Sequence, residues 1–204
     1  DRTARAILHA GSYMLHAQHL SAPPAEVMAP WEETTPNFSM RMTALAAALL
    51  RPQLKDLPLR ARRWNAIHDR IGKAIARSRH VRLPARSAKE SYAATSVQFS
   101  LPGFDSREMA AFLACCAARG LPVKWFGTDQ QRGFTSAPRH WRYAGEQGPL
   151  EQTHAVLAGL CDIRTPVSLT DQDCDLVAAI VREAIETVVS ARAGTGKTGR
   201  AATG

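Results

Sequence analysis

Residues 36 to 54, "PNFSMRMTALAAALLRPQL", carry the residue types best suited to chemistry in this chain. Asn37 and Ser39 are small hydrogen-bonding side chains in a loop that opens with Pro36. Arg41 is a lone cation between Met40 and Met42, which read as packing residues. From Thr43 the stretch becomes an Ala/Leu helix with no charge before Arg51. A helix N-terminus attracts anions, and a guanidinium binds phosphate or carboxylate through charge-assisted hydrogen bonds. The grouping suits an anion held at the mouth of an apolar helix.

Other motifs are weaker. "AGTGKTG" ends like a phosphate-binding loop at Gly196, Lys197 and Thr198, but position 191 is alanine and a helix precedes it. His16 and His19 are three apart with no third ligand in view. Asp171, Asp173 and Asp175 alternate without the glycine of a calcium loop, and they suit a helix N-terminus instead. No metal site is assigned. Cys115, Cys116, Cys161 and Cys174 match no zinc or redox spacing and read as reduced, mostly buried thiols. With no nucleophile elbow or Cys/His pairing of known spacing, no catalytic residue is assigned in this chain.

The elements that must position these residues follow from periodicity and punctuation. Residues 2 to 10 read as a short helix, and 11 to 41 as a long connection holding Pro23, Pro24, Pro30 and Pro36. Thr43 to Leu54 is the apolar helix, and Pro52 marks its end. From Leu57 to Arg77 an amphipathic helix places Leu57, Ala61, Trp64, Ile67, Ile71 and Ile75 on one face. Short strands are expected at 80–84, 94–103 and 121–127. Helices are expected at 106–119, closed by Gly120, at 150–160, and at 171–189, capped by Thr170 with Asp173 at the capping-box position. "IRTPVS" is expected to cross over extended. The order implies an α+β or α/β sandwich, with helices laid on a small sheet.

The chain has 204 residues and a net charge of +8. Its densest basic group, Arg60, Arg62 and Arg63, shares a helix with Asp56 and Asp69. A solvated helix face accounts for it better than a nucleic-acid groove, so a basic nucleic-acid-binding module is kept only as the rival from another class. No apolar run approaches the roughly 20 residues that span a bilayer. Charges in "DRTARAILHAG" stand where an export signal would be apolar, so a cytoplasmic, non-membrane protein is expected.

"SMRMTALAAALLRPQL" and the following Arg-rich helix "RARRWNAIHDRI" resemble a segment of the DegT/DnrJ/EryC1/StrS family of sugar aminotransferases, which depend on pyridoxal 5'-phosphate and have fold type I. The family segment reads roughly N-Y-R-M-[ST]-x-L-x-A-A-x-x-x-x-Q-L. "ARGLPVKWFG" is similar to a helix-ending glycine and a strand bearing an aromatic pair, and "VLAGLCDIRTPVSLTDQDCDLVAAIV" to the family's closing segment. The resemblance covers about residues 2 to 189.

It implies the C-terminal portion of such an enzyme. Residues 1–52 would end the large domain with a dimer-crossing loop and the apolar helix, 53–190 would form the small α/β domain, and 191–204 a disordered tail. The helix would be buried in the core or at the homodimer interface. The family's asparagine approaches the cofactor phosphate of the other subunit, which makes Asn37, Ser39 and Arg41 cofactor-binding candidates. That asparagine stands two residues before the arginine, where this chain has Ser39, so either Ser39 or Asn37 fills the role. Tyr13, Lys124 and Trp125 are the substrate-side candidates. None of Lys55, Lys73, Lys89, Lys124 and Lys197 matches the context of the lysine that carries the cofactor. The large-domain half would supply that lysine, and this chain alone would be inactive. The implied reaction moves an amino group from an amino-acid donor to a ketosugar or keto-cyclitol. A dehydratase on the same scaffold is the alternative.

Overall fold

Alternating side chains and three periodic helices build most of the structure. The computed structural model describes residues 2–9, 23–32, 34–36, 38, 42–87, 89–90, 92–129, 142–146 and 148–198. The chain divides into two units, one of residues 1–55 with 128–151, the other of 56–127 with 152–204. Residues 128–151 thus group with the first unit, between the two segments of the second.

In the first unit, α1 (Arg2–His9) packs on α2 (Ala25–Glu32) through Ala4, Leu8 and Met28, with Ile7 and Trp31 alongside. The Arg5 guanidinium lies 4.6 Å from the centre of the Trp31 ring. α2 falls within the stretch expected to be an irregular connection. Its prolines hid it: Pro24 stands just before the first turn and Pro30 lies inside the helix, where proline normally costs a hydrogen bond. α3 (Ala44–Gln53) is the apolar helix, and the Thr43 side chain caps it by accepting from the Ala46 N–H at 3.1 Å. None of its side chains is buried within this chain.

The second unit is the expected layer of helices on a small sheet, and because that sheet is antiparallel it takes the α+β form of the two expected. β1 (Ser96–Ser100), β2 (Lys124–Trp125) and β3 (Leu160–Arg164) form an antiparallel sheet in the order β1-β3-β2. The strand at the centre is therefore "LCDIR", part of which was read only as an extended crossover. The strand expected at 80–84 reduces to one bridge, Arg82 to Ser100, because Pro84 cannot continue a ladder. The one at 121–127 shrinks to two residues between Pro122 and the turn at Gly127.

Val97, Phe99, Cys161 and Ile163 face one side of the sheet and are buried. Against them pack α4 (Leu57–Ile75) through Ile67, Ile71 and Ile75, and α5 (Ser106–Ala118) through Met109, Phe112 and Cys116. α7 (Asp171–Thr198) adds Ala178, Val181, Ile185 and Val188. The Phe99 and Phe112 rings meet edge to face at 6.3 Å. Leu57, expected on the buried face of α4, is exposed instead. α5 starts on a capping box between Asp105 and Glu108 and ends at Gly120, whose φ of +76° only glycine adopts readily. α6 (Glu151–Gly159) leads into β3.

The Thr170–Asp173 box at the start of α7 is as expected: Asp173 N–H donates to Thr170 Oγ1 at 3.2 Å and Thr170 N–H to Asp173 Oδ2 at 2.8 Å. The helix then runs to Thr198, past the expected stop at Val189, which corrects the coil expected from 191 as far as that residue. Extending a helix already held by packing costs little per residue, and Arg192 fastens this extension to Glu108 and to the Gly103 carbonyl. Residues 199–204 lie outside the described residues.

Candidate functional site

Anion-binding groups at a helix mouth need the loop before the helix to be held. Asn37, Ser39 and Arg41, like Tyr13, lie outside the described residues. The residue between two of them is described. The Phe38 N–H donates to the His9 carbonyl at 3.0 Å, and the Phe38 ring stacks on His9 at 5.2 Å and 10°. His9 Nδ1 also donates to the Pro36 carbonyl at 3.0 Å, a bond that places the ring proton on that nitrogen. The end of α1 therefore pins the loop on both sides of Asn37. Sequence reading missed this anchor, since no local pattern links His9 to residues 36 and 38.

At the far end of the loop, α3 begins with the Thr43 cap and carries no acidic side chain in its first turn. The partial positive charge of that helix end is not offset by a carboxylate of its own.

Lys124 and Trp125 are neighbours on β2 and point to opposite faces of the sheet. Trp125 packs against the core of the second unit, and its Nε1–H donates to the Ala158 carbonyl at 2.8 Å. The polar end of the indole is thus committed to α6. Gly127 keeps this arrangement open: a Cβ there would lie 2.6 Å from Trp125 Nε1 and 2.9 Å from Ala158 Cα. Lys124 places its ammonium 5.1 Å from the Phe126 ring centre.

Lys124 stands opposite Asp162 of β3, which in turn stands opposite Gln98 of β1. The three form a polar row across the face away from the core. Asp162 is 6 % exposed, and its Oδ1 has no hydrogen-bond partner among the described residues. Gln98 Nε2 approaches Oδ2 at 3.5 Å and Arg164 Nε approaches Oδ1 at 3.9 Å. Asp162 was not singled out from the sequence. The signal was present: a lone acid inside an otherwise apolar strand.

The remaining candidates are spent on structure. Arg70 makes a two-pronged contact with Asp175, at 2.8 and 2.6 Å, and reaches Asp171 at 3.1 Å. Arg70 holds the Asp175 carboxyl below its ordinary range, and Thr170 does the same for Asp173. Arg63, from the densest basic group, donates to the Leu169 carbonyl and pairs with Asp171. All four cysteines are free. Burial pushes the Cys116 and Cys161 thiols up to about 12, so neither supplies a thiolate nucleophile near neutral pH. Gly196, Lys197 and Thr198 lie on the helical extension of α7, not between a strand and a helix. Among the described residues no group of three or more His, Cys, Asp or Glu converges as metal ligands do, and no helix is long and apolar enough to cross a membrane.

No family model matches the chain, and no curated protein does. Solved structures do match. An aminotransferase, TlmJ from Streptoalloteichus hindustanus, is 21 % identical with a TM-score of 0.57, the match covering 70 % of this chain and 36 % of that one. Spr1654 from Streptococcus pneumoniae, described as a sugar aminotransferase and solved in its PMP form, is 18 % identical with a TM-score of 0.59, covering 78 % and 39 %. A DegT/DnrJ/EryC1/StrS aminotransferase from Brucella abortus is 15 % identical with a TM-score of 0.54, covering 79 % and 44 %. At these identities the likeness is one of fold. The chain has the fold of a portion of these enzymes and spans well under half of their length.

Proposed function

We propose that this chain is the C-terminal half of a pyridoxal-phosphate-dependent aminotransferase acting on a ketosugar or keto-cyclitol. The observation that carries the reading is the shared fold with portions of sugar aminotransferases, one of them solved in both PLP and PMP forms. When bound, the cofactor supplies the electron sink through which an amino group is moved.

The residues of this chain have supporting roles. Asn37 or Ser39, together with Arg41, would bind the cofactor phosphate of a partner subunit. Two described features fit such a group: the loop is pinned at Phe38, and the start of α3 has no carboxylate to repel an anion. The exposed leucines of α3 fit a helix covered by the large-domain half or the second subunit of a homodimer. Lys124 and Trp125 would form part of one wall of the substrate pocket, Trp125 by its ring face, since its N–H is already used. The lysine that carries the cofactor would come from the half that precedes this chain.

The complete protein tests the reading. Incubated with cofactor, an amino-acid donor and a ketosugar, it should return an aminated sugar and a keto acid in equal amounts. A deoxygenated, unaminated sugar would replace the aminotransferase by a dehydratase. For this chain alone, borohydride reduction with the cofactor should leave no stoichiometric adduct in intact mass. A full adduct on Lys124 would overturn the division of labour between the halves.

A further inference from the structure

Where α4 ends against the later turns of α7, the second unit has a solvent-open cavity of about 340 Å³ lined by Arg77, Ser78, Arg79, His80, Arg182 and Glu186, among others. Three guanidinium groups face one carboxylate. α7 contributes Arg182 and Glu186 one turn apart, so both project from one side of the helix.

Two structural explanations for these arginines are insufficient. The first is that they cap the end of α4. No arginine is seen doing so: the carbonyls with partners there accept from backbone groups, Gly72 from the Ala76 N–H at 2.9 Å, Ile75 from Ser78 at 3.0 Å and Ser78 from Val81 at 3.1 Å. The second is ion pairing. The nearby acids are paired elsewhere: Glu183 with Arg119, Asp175 with Arg70, and Glu108 with Arg192. Asp175 is held below its ordinary pKa first by Arg70, with Arg77 adding to the effect through space alone. Among the described residues, neither Arg77 nor Arg182 forms a hydrogen bond or ion pair with a carboxylate.

Arg182 is half-buried, its Nε covered without an acceptor among the described residues, so any contact it makes to an occupant of the cavity comes from the outer nitrogens of its guanidinium. The rest of the rim offers donors too. Arg79 Nε donates to His80 Nε2 at 3.3 Å, which leaves the histidine proton on Nδ1. Ser78 Oγ accepts from the His80 N–H at 3.4 Å, so its own hydrogen is available to donate.

We propose that this cavity binds a small phosphate monoester, its phosphate on Arg77 and Arg182 and a hydroxyl of its carrier on Glu186. Guanidinium groups grip phosphate oxygens in pairs, whereas a hydroxyl is the group that gives Glu186 a hydrogen bond without charge repulsion. The volume leaves room for more than a phosphate group alone. The site uses no residue invoked for the pyridoxal phosphate, so either proposal survives the failure of the other.

Calorimetric titration of the full chain at fixed ionic strength tests it, with glycerol 3-phosphate, inorganic phosphate, sulfate and glycerol as probes. Glycerol 3-phosphate should bind at one saturable site, inorganic phosphate more weakly, and glycerol not at all. Binding should tighten as pH rises through about 6, where the monoester gains its second charge. Loss of one hydrogen bond to a charged group should make Arg182→Gln weaken binding by about 10- to 100-fold. Glu186→Gln should strengthen inorganic phosphate while narrowing its disadvantage against glycerol 3-phosphate. Where Arg182→Gln loses its fold by circular dichroism, Arg77→Gln on the exposed helix end decides instead. No saturable heat, equal binding of sulfate and both phosphates, or binding unchanged in the folded arginine variants would each overturn the proposal.

Discussion

α3 and α4 follow one another in the chain, separated by three residues, yet they use their apolar side chains in opposite ways. α3 is the more apolar of the two and buries nothing: Leu45 is 71 % exposed and Leu49 59 %. α4 carries arginines along much of its length and buries Ile67, Ile71 and Ile75 almost completely. Composition does not decide burial. A stripe at steps of three and four can be covered by one neighbour, and α4 finds it in α7 and the sheet. A helix apolar nearly all round needs neighbours on every side, more than this chain offers. Exposed apolar surface of this kind marks an interaction site.

The sharpest way to break that contrast is to truncate one side chain from each region. Phe112→Ala removes a ring packed on Phe99 in the second unit, and should cost about 3–5 kcal/mol in chemical denaturation. Leu49→Ala should change folding stability by no more than about 0.5 kcal/mol, as exposed substitutions do. Its effect should fall on self-association in sedimentation. Equal stability losses would mean that α3 is part of this chain's own core.

Next in size is the loop ahead of α3. Arg41→Ala in the complete enzyme should remove a charged hydrogen bond of roughly 1.5–3 kcal/mol and raise the cofactor dissociation constant about ten- to a hundredfold. Asn37→Ala and Ser39→Ala separate the two alignments, since only the residue in the asparagine role should show a comparable loss. Mixed dimers pair a loop variant with a subunit lacking the cofactor-bearing lysine. Activity should survive with both lesions on one subunit and vanish with one lesion on each; equal activity would mean that the loop does not act across the interface.

Gly127→Ala tests how tightly β2 is fixed. The new methyl would meet the Trp125 indole and the Ala158 backbone, so the variant should lose about 1–3 kcal/mol. Trp125 fluorescence should shift with it. Unchanged emission and stability would show that the tryptophan is free to move.

The smallest effect is that of pH. Glu108, held first by Arg192 and then by the Asp105 N–H, sits below its ordinary value of 4.5, and Asp173 and Asp175 sit below theirs of 3.8. Groups with lowered folded pKa values contribute stability that is present above the unfolded values and lost as pH falls through the folded ones. The second unit should therefore weaken progressively below about pH 4.5, and Glu108→Gln should flatten the upper part of that decline. Asp175 is exposed and Glu108 and Asp173 are half-buried at the surface, so the slope is shallow and salt should reduce it.

Legibility in the sequence tracked the range of the interaction. The Thr170 cap, the Gly120 stop and the Ile67–Ile71–Ile75 stripe each depend on residues within a turn or two, and all were readable; Thr43, read as the first residue of its helix, is the cap just ahead of it. α2 was hidden by its prolines, because tertiary packing of Met28 outweighs a local penalty. β3 was passed over because Asp162 breaks its apolar run, and only its place between two strands explains why that strand exists. The His9–Phe38 anchor and the row of Gln98, Asp162 and Lys124 join residues far apart in sequence, and no spacing rule points to them.

The sequence by itself determined the helices of the second unit, the alternation of β1, the apolar run of α3 and the family resemblance, because each is written in neighbouring residues. The tertiary structure decided which strand is central, how far α7 runs, that residues 128–151 group with the first unit, and that the Arg182 Nε is covered without an acceptor among the described residues. Those outcomes rest on which surfaces meet, and a one-dimensional pattern holds the surfaces but not their partners.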